Sequence, residues 1–358
     1  MRHNFWRDAA CPFPFRQVRG GRFAFALITA QALGFLLGAL TVVGASNAIA
    51  QPHPPPQPLA QGITVSLISP RGVERTREDW SAFIADMSKA LKIPVNLRIG
   101  KTQREVVADM LEGRADMAWM GNAPALEVVE AGVGEVFAAM VRQDGGTGYR
   151  SVIVVHKDSP IKTLDDLLHA KARHTFAAGD PNSTSGYVVP NYYVFARNKV
   201  RPEALFSKIV QGNHAENALR VARREVDAGT CNDSELSVFK QRNPSEHANL
   251  RVLWQSVEIP ESPMMWRNTM DATLKARVRA FFANYGASAR EQATLLKING
   301  LKRFRPSSNR QLLVIADIEM FNARTQIERN VALSLDEKGK KHQDVVQRAV
   351  RLETALRF

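Results

Sequence analysis

Apolar residues follow two alternating patterns along the chain from residue 63 onward. Runs at 63–68, 95–99 and 117–120 have the short length of β-strands, whereas 80–91 and 106–111 carry apolar side chains at helical spacing. Strands that alternate with helices predict βαβ units, so the expected fold class is α/β with a mainly parallel sheet. Ligands of such sheets bind beyond the carboxyl ends of the strands. Further strands are predicted at 136–141, 152–155 and 175–178.

The first fifty residues have the pattern of an export signal. Five arginines precede or open an apolar run at 23–45, which ends in Ala48-Ile49-Ala50. This predicts a cleaved signal peptide at 1–50 and a periplasmic protein. The apolar run is long enough to span a bilayer, so an uncleaved anchor is the alternative, and the small-residue end favours cleavage. The proline-rich residues 51–62 predict an extended linker.

Charge and cysteine content narrow the classes of partner. The formal net charge is +13, and loss of five arginines and Asp8 with the signal peptide leaves +9, which favours anionic partners. The charge is scattered and the chain carries an export signal, so nucleic acid is not expected. Cys231 is the one cysteine after residue 50, which excludes an internal disulfide and a thiolate zinc cluster. The sequence lacks a phosphate loop, a G-x-S-x-G elbow and an H-E-x-x-H helix, so no cofactor or metal is predicted.

The strongest local signal is the segment GDPNSTSG at 179–186. It follows the strand predicted at 175–178 and precedes a helix predicted at 187–199. A helix N-terminus offers free backbone N–H groups and a partial positive charge, and three hydroxyl residues add short donors. The segment therefore predicts a site for a tetrahedral oxyanion. The alternative is that Ser183 or Thr184 is simply an N-cap.

This segment resembles the phosphonate ABC-transporter binding proteins, the PhnD family. It is followed by VVP at 188–190 and YYVFA at 192–196, as in that family. Other segments agree in order over about residues 63–320, which makes the resemblance specific. They are AWMGN at 118–122, GYRSV at 148–152, KDSPI at 157–161, WR at 266–267 and FFANYG at 281–286.

The resemblance implies a type II periplasmic-binding-protein fold, with two α/β lobes and a ligand cleft between them. It implies a solute-binding protein that captures a phosphonate, phosphite or phosphate for an ABC importer, with the inner-membrane permease as partner. By the family's pattern, Ser183, Thr184 and Ser185 hold the phosphorus oxygens, and Tyr149 and His214 also reach the ligand. No catalytic residue is assigned, because no base with an orienting group accompanies Ser183 or Ser185.

Three positions depart from the family's pattern. Gln103 stands where the family has a first-lobe tyrosine. In aminoalkylphosphonate binders two carboxylates hold the ligand ammonium, and a gap-free alignment places Ser234 and Ser262 there. A buried ammonium without a countercharge is costly, so a ligand without an amine is expected. Carboxylates stand beside both serines, and a one-residue shift would restore the countercharge. They are Asp233, Glu235 and Glu261.

The implied lobes divide the chain. Residues 63–150 and 253–320 are expected to form the first lobe, 151–252 the second lobe, and 321–358 a C-terminal helical extension. Apolar residues at helical spacing near the end of the extension predict an amphipathic helix. We expect this helix to pack on its own chain, while a contact between two copies of the chain stays open.

A second function stays open for the same fold. The protein could present its ligand to a membrane histidine kinase as a sensory module. Neighbouring genes for a permease and an ATPase would favour transport.

The signal-peptide prediction is testable by intact-mass measurement. Protein recovered from the periplasm should begin at or near Gln51, because Ala48-Ile49-Ala50 has the small residues that signal peptidase needs. A mass that retains residues 1–50 would show an anchored protein instead.

Overall fold

The computed structural model describes residues 62–169 and 173–357. The predicted signal peptide, its cleavage site, the alternative membrane anchor and the linker up to residue 61 lie outside these residues. Among the described helices, none is long and apolar enough to cross a membrane.

The chain alternates strands and helices up to Arg142. The elements are β1 (Ile63–Ile68), α1 (Val73–Leu91), β2 (Val95–Gly100), α2 (Gln103–Leu111), β3 (Met117–Trp119), α3 (Asn122–Glu130) and β4 (Gly134–Arg142). Helix α1 forms because Trp80, Phe83, Met87 and Leu91 recur on one face, and all four are buried.

The middle of the chain builds a second set of strands and helices. These are β5 (Gly148–Tyr149), β6 (Ser151–His156), α4 (Leu164–Leu168), β7 (Thr175–Ala178), two π-helical turns (Thr184–Val188 and Asn191–Ala196), α5 (Pro202–Leu205), β8 (Lys208–Gln211), α6 (His214–Ala222), β9 (Ala228–Asn232), α7 (Asp233–Arg242), α8 (Pro244–His247) and β10 (Leu250–Gln255).

The last part of the chain returns to the first set. Its elements are β11 (Ile259–Pro260), β12 (Pro263–Arg267), α9 (Ala272–Asn284), α10 (Ala289–Lys297), β13 (Leu301–Pro306), a 3₁₀ turn (Asn309–Leu312), α11 (Leu313–Arg329) and α12 (Leu335–Ala355).

Two separate sheets define two lobes. The first lobe is built on a six-stranded sheet of order β13-β4-β12-β3-β1-β2, and the second lobe on a five-stranded sheet of order β10-β6-β9-β7-β8. The chain leaves the first sheet after β4 and returns at β12, and β5 pairs with β11 along these two connections. The predicted architecture of two α/β lobes is therefore confirmed.

The prediction of a mainly parallel sheet is wrong. Strand β1 is parallel to β2 and β3, and β7 is parallel to β8 and β9. The remaining pairs, which involve β4, β6, β10, β12 and β13, are antiparallel. A parallel neighbour needs a crossover connection, which the helices supply within each βαβ unit. Strand β12 instead enters the first sheet from the second lobe, between β3 and β4, and runs in the opposite direction.

The helix predicted at 187–199 is present, at 184–196, but it is π-helical on both sides of Val189 and Pro190 rather than a regular α-helix. Proline has no N–H, so it cannot bond the carbonyl of Gly186 four residues earlier. That carbonyl instead accepts hydrogen bonds from Gly179 N at 3.0 Å and from Thr230 Oγ1 at 2.8 Å. Two π-helical turns, joined by Val189 and Pro190, form this helix, and the first of them is tied to β7 and β9.

The C-terminal helix α12 packs on its own chain. Val345, Leu352 and Leu356 are buried in the core of the first lobe. The Arg348 guanidinium also pairs with Glu130 of α3, with Nη2 and Oε2 at 2.7 Å.

Glycine at position 179 is a testable requirement of this fold. A Cβ at Gly179 would lie 2.7 Å from the Cα of Gly186, and backbone atoms cannot rotate away. We expect Gly179→Ala to lower the free energy of unfolding by about 1–3 kcal/mol, the usual cost of overpacking. Urea denaturation measures the change.

The matched control is Gly339→Ala on the exposed surface of α12. A Cβ there meets no described atom within 4 Å, so this variant should keep or gain stability. Equal unfolding free energies for Gly179→Ala and the parent would show that the turn can shift freely.

Candidate functional site

One cavity of about 480 Å³ lies between the lobes and brings the predicted residues together. It is bounded by the ends of strands and the starts of helices, as expected for an open α/β sheet. All eight residues singled out from the sequence line it, although the structure alone does not test their roles. They are Gln103, Tyr149, Ser183, Thr184, Ser185, His214, Ser234 and Ser262.

The hydroxyl turn after β7 combines a cap with free donors. Ser183 is the N-cap of the first π-helical turn, and its Oγ accepts a hydrogen bond from Gly186 N at 3.1 Å. Ser183 is therefore an N-cap, and its contact with an anion stays a prediction. Ser185 is fixed through its backbone, because Ser151 Oγ donates to its carbonyl at 2.6 Å. Its own Oγ faces the cavity, where Asn232 Nδ2 donates to it at 3.4 Å.

Thr184 connects the turn to the opposite lobe. Its Oγ1 accepts a hydrogen bond from Ala123 N, in the first turn of α3, at 2.8 Å. Gly121 makes this approach possible, since a Cβ there would lie 2.9 Å from the same oxygen. The hydroxyl hydrogen of Thr184 is then free to be donated to an anion, while the oxygen keeps its partner.

His214 begins α6 and carries no charge at neutral pH. A capping box of Asn213 and Glu216 fixes the start of the helix. The Nδ1 atom is buried without a hydrogen-bond partner among the described residues, and burial lowers the pKa of the imidazole to about 4. Its Nε2 lies 3.5 Å from Ser185 Oγ. His214 can thus add one N–H donor to the hydroxyl turn.

Tyr149 lies on the connection between the lobes, in β5. Burial, and next the negative charge of Glu261, raise the pKa of its phenol well above the ordinary value. The side chains of Ser185, Ser262 and Asn122 act on the same phenol in the opposite direction. The neutral hydroxyl therefore lies between the hydroxyl turn and Ser262, and it can donate to a ligand oxygen.

Gln103 occupies the position where the family has a tyrosine. It is the first residue of α2, and its backbone N donates to Asp180 Oδ2 of the second lobe at 3.3 Å. Its side-chain Oε1 accepts from Gly121 N at 3.3 Å. The amide NH₂ is the group that Gln103 has left for a ligand.

Two carboxylates line the cavity, whereas the sequence analysis expected none to face a ligand ammonium. Glu235 and Glu261 both line the cavity, so a buried ammonium would meet carboxylates after all. Asp233 is not among the lining residues; it accepts a hydrogen bond from Arg150 N at 2.9 Å. Ser234 and Ser262 line the cavity too, so the gap-free alignment located two lining positions, and the carboxylates beside them reach the cavity as well.

Glu261 is a buried carboxylate whose pKa depends on the groups around it. It is 7% exposed, and burial raises its pKa to about 7, against the opposing effect of Arg142. Ser234 Oγ donates to Glu261 Oε1 at 3.3 Å, and Arg142 Nη1 donates to Ser234 Oγ at 3.3 Å. Gln311 Nε2 donates to the Glu261 carbonyl at 3.0 Å and fixes the backbone.

Asn232 is a further lining residue that the sequence analysis missed. It ends β9 and caps α7, where its Oδ1 accepts from Glu235 N at 2.8 Å. The signal was available, since Asn232 follows an apolar strand and precedes a helix. Among the described residues, there is no cluster of three or more histidine, cysteine or acidic side chains that could hold a metal ion.

The two lobes, the cavity between them and the neutral donors of the hydroxyl turn define a solute-binding protein for a small anion. The family model of phosphonate ABC-transporter periplasmic substrate-binding proteins matches residues 65–312. The chain belongs to this family, which confirms the predicted family and its class of function. The family is one of periplasmic transport proteins that work with an ABC transporter, not a family of enzymes.

Relatives and solved structures agree with this assignment. The phosphonates-binding periplasmic protein of Escherichia coli is 37% identical over 278 residues, 78% of this chain and 82% of the relative. A phosphate-import protein of Mycolicibacterium smegmatis is 24% identical over 62% of this chain and 71% of its own length. The crystal structure of a binding component of a phosphonate ABC transporter from Pseudomonas aeruginosa is 35% identical, with a TM-score of 0.77 over 82% of this chain and 97% of that one.

A more distant structure supports the fold alone. It is a Prochlorococcus marinus protein in complex with methylphosphonate, 21% identical, with a TM-score of 0.64 over 73% of this chain and 98% of that one.

Thr184 provides a direct test of the hydroxyl turn. Thr184→Ala removes one donor to a buried anion and leaves Ala123 N without its acceptor. A hydrogen bond to a charged group contributes about 1.5–3 kcal/mol, so affinity for phosphonates should fall roughly ten- to hundredfold. Isothermal titration calorimetry measures it.

Thr184→Ser is the matched control for this variant. It keeps the hydroxyl and removes only a methyl group, so its affinity should stay within about tenfold of the parent and above that of Thr184→Ala. If Thr184→Ala binds as tightly as the parent, the turn is a helix cap and not the anion site.

Proposed function

We propose that this protein captures an organophosphonate that carries an amino group and delivers it to an ABC permease. The phosphonate group lies at Ser183, Thr184 and Ser185, and the ammonium faces Glu261. The single observation that carries the proposal is the buried carboxylate of Glu261 on the wall of the same cavity as the hydroxyl turn.

The part of the cavity at the hydroxyl turn suits the phosphonate group because its donors are neutral. Hydroxyl groups, the N-terminus of a helical turn and the neutral ring of His214 converge without a buried cation among the described lining residues. Such donors satisfy several oxygens of a phosphonate without adding positive charge. The phenol of Tyr149 is affected by Ser185 of the hydroxyl turn and also by Ser262 and Glu261, so it lies between the phosphonate site and the ammonium site.

The part of the cavity at Glu261 suits an ammonium group because burial of the carboxylate is costly. Desolvation raises its pKa, which means that the carboxylate lacks enough compensation from the protein alone. An ammonium supplies the missing countercharge. A plain oxyanion would instead bring a second negative charge towards a buried carboxylate.

A ligand without an amine is the second candidate, and one observation favours it. Arg142 reaches Ser234, and Ser234 donates to Glu261, so the protein compensates part of the Glu261 charge itself. In that case phosphite, phosphate or methylphosphonate would be the ligand, and Glu261 would bind protonated.

Export and the division into lobes belong to the same proposal. Residues 1–50 direct the chain to the periplasm and are removed, and 51–62 form a linker. Residues 63–150 and 253–320 form the first lobe, 151–252 the second, and 321–358 the extension; the two sheets support this division except at 253–255, which complete β10 of the second sheet. Docking of both lobes on the permease completes the transport function.

Glu261→Gln tests the ammonium site. Calorimetry with 2-aminoethylphosphonate should show a loss of affinity of about tenfold or more, because the ion pair is gone. Affinity for methylphosphonate should stay the same or rise. Glu258→Gln, an exposed carboxylate on the same connection, is the control and should change neither ligand.

The pH profile gives an independent readout. An ammonium favours ionised Glu261, whose pKa is about 7, so affinity for 2-aminoethylphosphonate should fall by up to about tenfold per pH unit below 7. The ligand's own groups titrate in the same way with both proteins. The ratio of the parent affinity to the Glu261→Gln affinity at each pH therefore isolates the contribution of Glu261. If the parent prefers methylphosphonate or phosphate by tenfold or more, the second candidate is correct.

A further inference from the structure

Four charged residues, three with buried side chains and one partly exposed, lie between the lobes, beside the ligand cavity and outside the hydroxyl turn. Arg71 and Asp79 belong to the first lobe, in the turn before α1 and in α1 itself. Glu235 and Arg242 belong to the second lobe, on α7. We call these four residues the interlobe ion cluster.

The pairing within the cluster crosses between the lobes twice. Arg71 Nε of the first lobe lies 3.4 Å from Glu235 Oε2 of the second. Arg242 Nη2 of the second lobe donates to Asp79 Oδ1 and Oδ2 of the first, at 3.1 and 3.2 Å. Each lobe therefore contributes one cation and one anion, and each cation meets an anion of the opposite lobe.

The cluster is buried enough for the pairing to matter. The side chains of Arg71, Asp79 and Glu235 are 6%, 4% and 6% exposed, and that of Arg242 is 27% exposed. A buried ion pair gains little over apolar packing, but loss of one partner leaves a buried charge uncompensated. Separation of the lobes would break both interlobe pairs, while Asp79 would keep Arg71 and Arg75 of its own lobe.

The cluster also touches the wall of the cavity. Glu235 lines the cavity, and Arg71 Nη2 donates to Asn299 Oδ1, which lines it as well. Within the first lobe, Arg71 Nη1 lies 3.4 Å from Asp79 Oδ2. The arrangement of the charges therefore depends on how closely the lobes approach around a ligand.

We propose that Arg71 and Arg242 are positioning residues for ligand retention. They hold the lobes together through Glu235 and Asp79, and the rate of ligand release depends on how easily these two pairs separate. The carboxylate of Glu235 forms an ion pair with Arg71. Glu261 instead accepts a hydrogen bond from Ser234 on the cavity wall.

Arg242→Gln and Arg75→Gln form a matched pair of variants. Both remove a guanidinium that faces Asp79. Arg75 lies in the same helix as Asp79, with Nε and Oδ1 at 3.6 Å, so its contact does not cross between lobes. Only Arg242→Gln should affect closure.

The first measurement is ligand release by stopped flow. The fluorescence of Trp119, which lines the cavity, reports displacement of 2-aminoethylphosphonate or methylphosphonate, whichever binds the parent. Release from Arg242→Gln should be roughly tenfold faster, with a smaller change in association, as expected when one partner of a buried pair is truncated. Arg75→Gln should stay within about twofold, and Arg242→Lys should recover most of the parent behaviour.

The second measurement needs no ligand and separates this proposal from the proposed function. Distances between one spin label on each lobe should lengthen or broaden in ligand-free Arg242→Gln and not in Arg75→Gln. Asp79→Asn alone should also lengthen or broaden the interlobe distances. In the double variant Asp79→Asn/Arg242→Gln, the change in distance should be smaller than the sum of the changes in the two single variants. Equal behaviour of Arg242→Gln and Arg75→Gln in both release and distance would overturn the proposal.

Discussion

The backbone contact between Gly179 and Gly186 is the constraint on which the cavity depends. Pro190 leaves the Gly186 carbonyl without a partner in its own helix, and Gly179 N and Thr230 Oγ1 take it up. The hydroxyl turn is thereby bonded to β7 and β9 rather than continued into a regular helix. These two bonds hold the turn against the sheet, where its serine and threonine residues line the cleft.

The donors at the hydroxyl turn are neutral, and the buried charge of Glu261 is compensated only in part, by Ser234 and the more distant Arg142. His214 is uncharged at neutral pH, and the phenol of Tyr149 keeps its proton. Lys101 is the one lysine or arginine among the described lining residues, and it is exposed. Oxyanion binding through neutral donors in a water-poor cleft allows strong hydrogen bonds and still permits release once the lobes separate.

Several strands and the hydroxyl turn could be predicted from the sequence. The features that were missed depend on contacts between residues that are far apart along the chain. The strands at 63–68 and 175–178 and the residues of the hydroxyl turn were recognised because their signals are local: apolar alternation, glycines and hydroxyl residues at a strand end. The direction of β12 and the π-helical form of the helix around Pro190 were missed. The first depends on a return from the second lobe, and the second on a carbonyl that finds partners 7 and 44 residues away.

The two cavity carboxylates show why ligand choice was the hardest inference from sequence. Glu235 and Glu261 were both visible as neighbours of the aligned serines, yet their surroundings differ. Glu235 lies 3.4 Å from an arginine of the opposite lobe, which opposes the rise that burial causes in its pKa. Glu261 accepts from a serine hydroxyl and has the more distant Arg142 as its cation, and burial raises its pKa as well. One carboxylate is thus available to hold the lobes together and the other to recognise the ligand, a division that follows from the position of two arginines rather than from the carboxylates themselves.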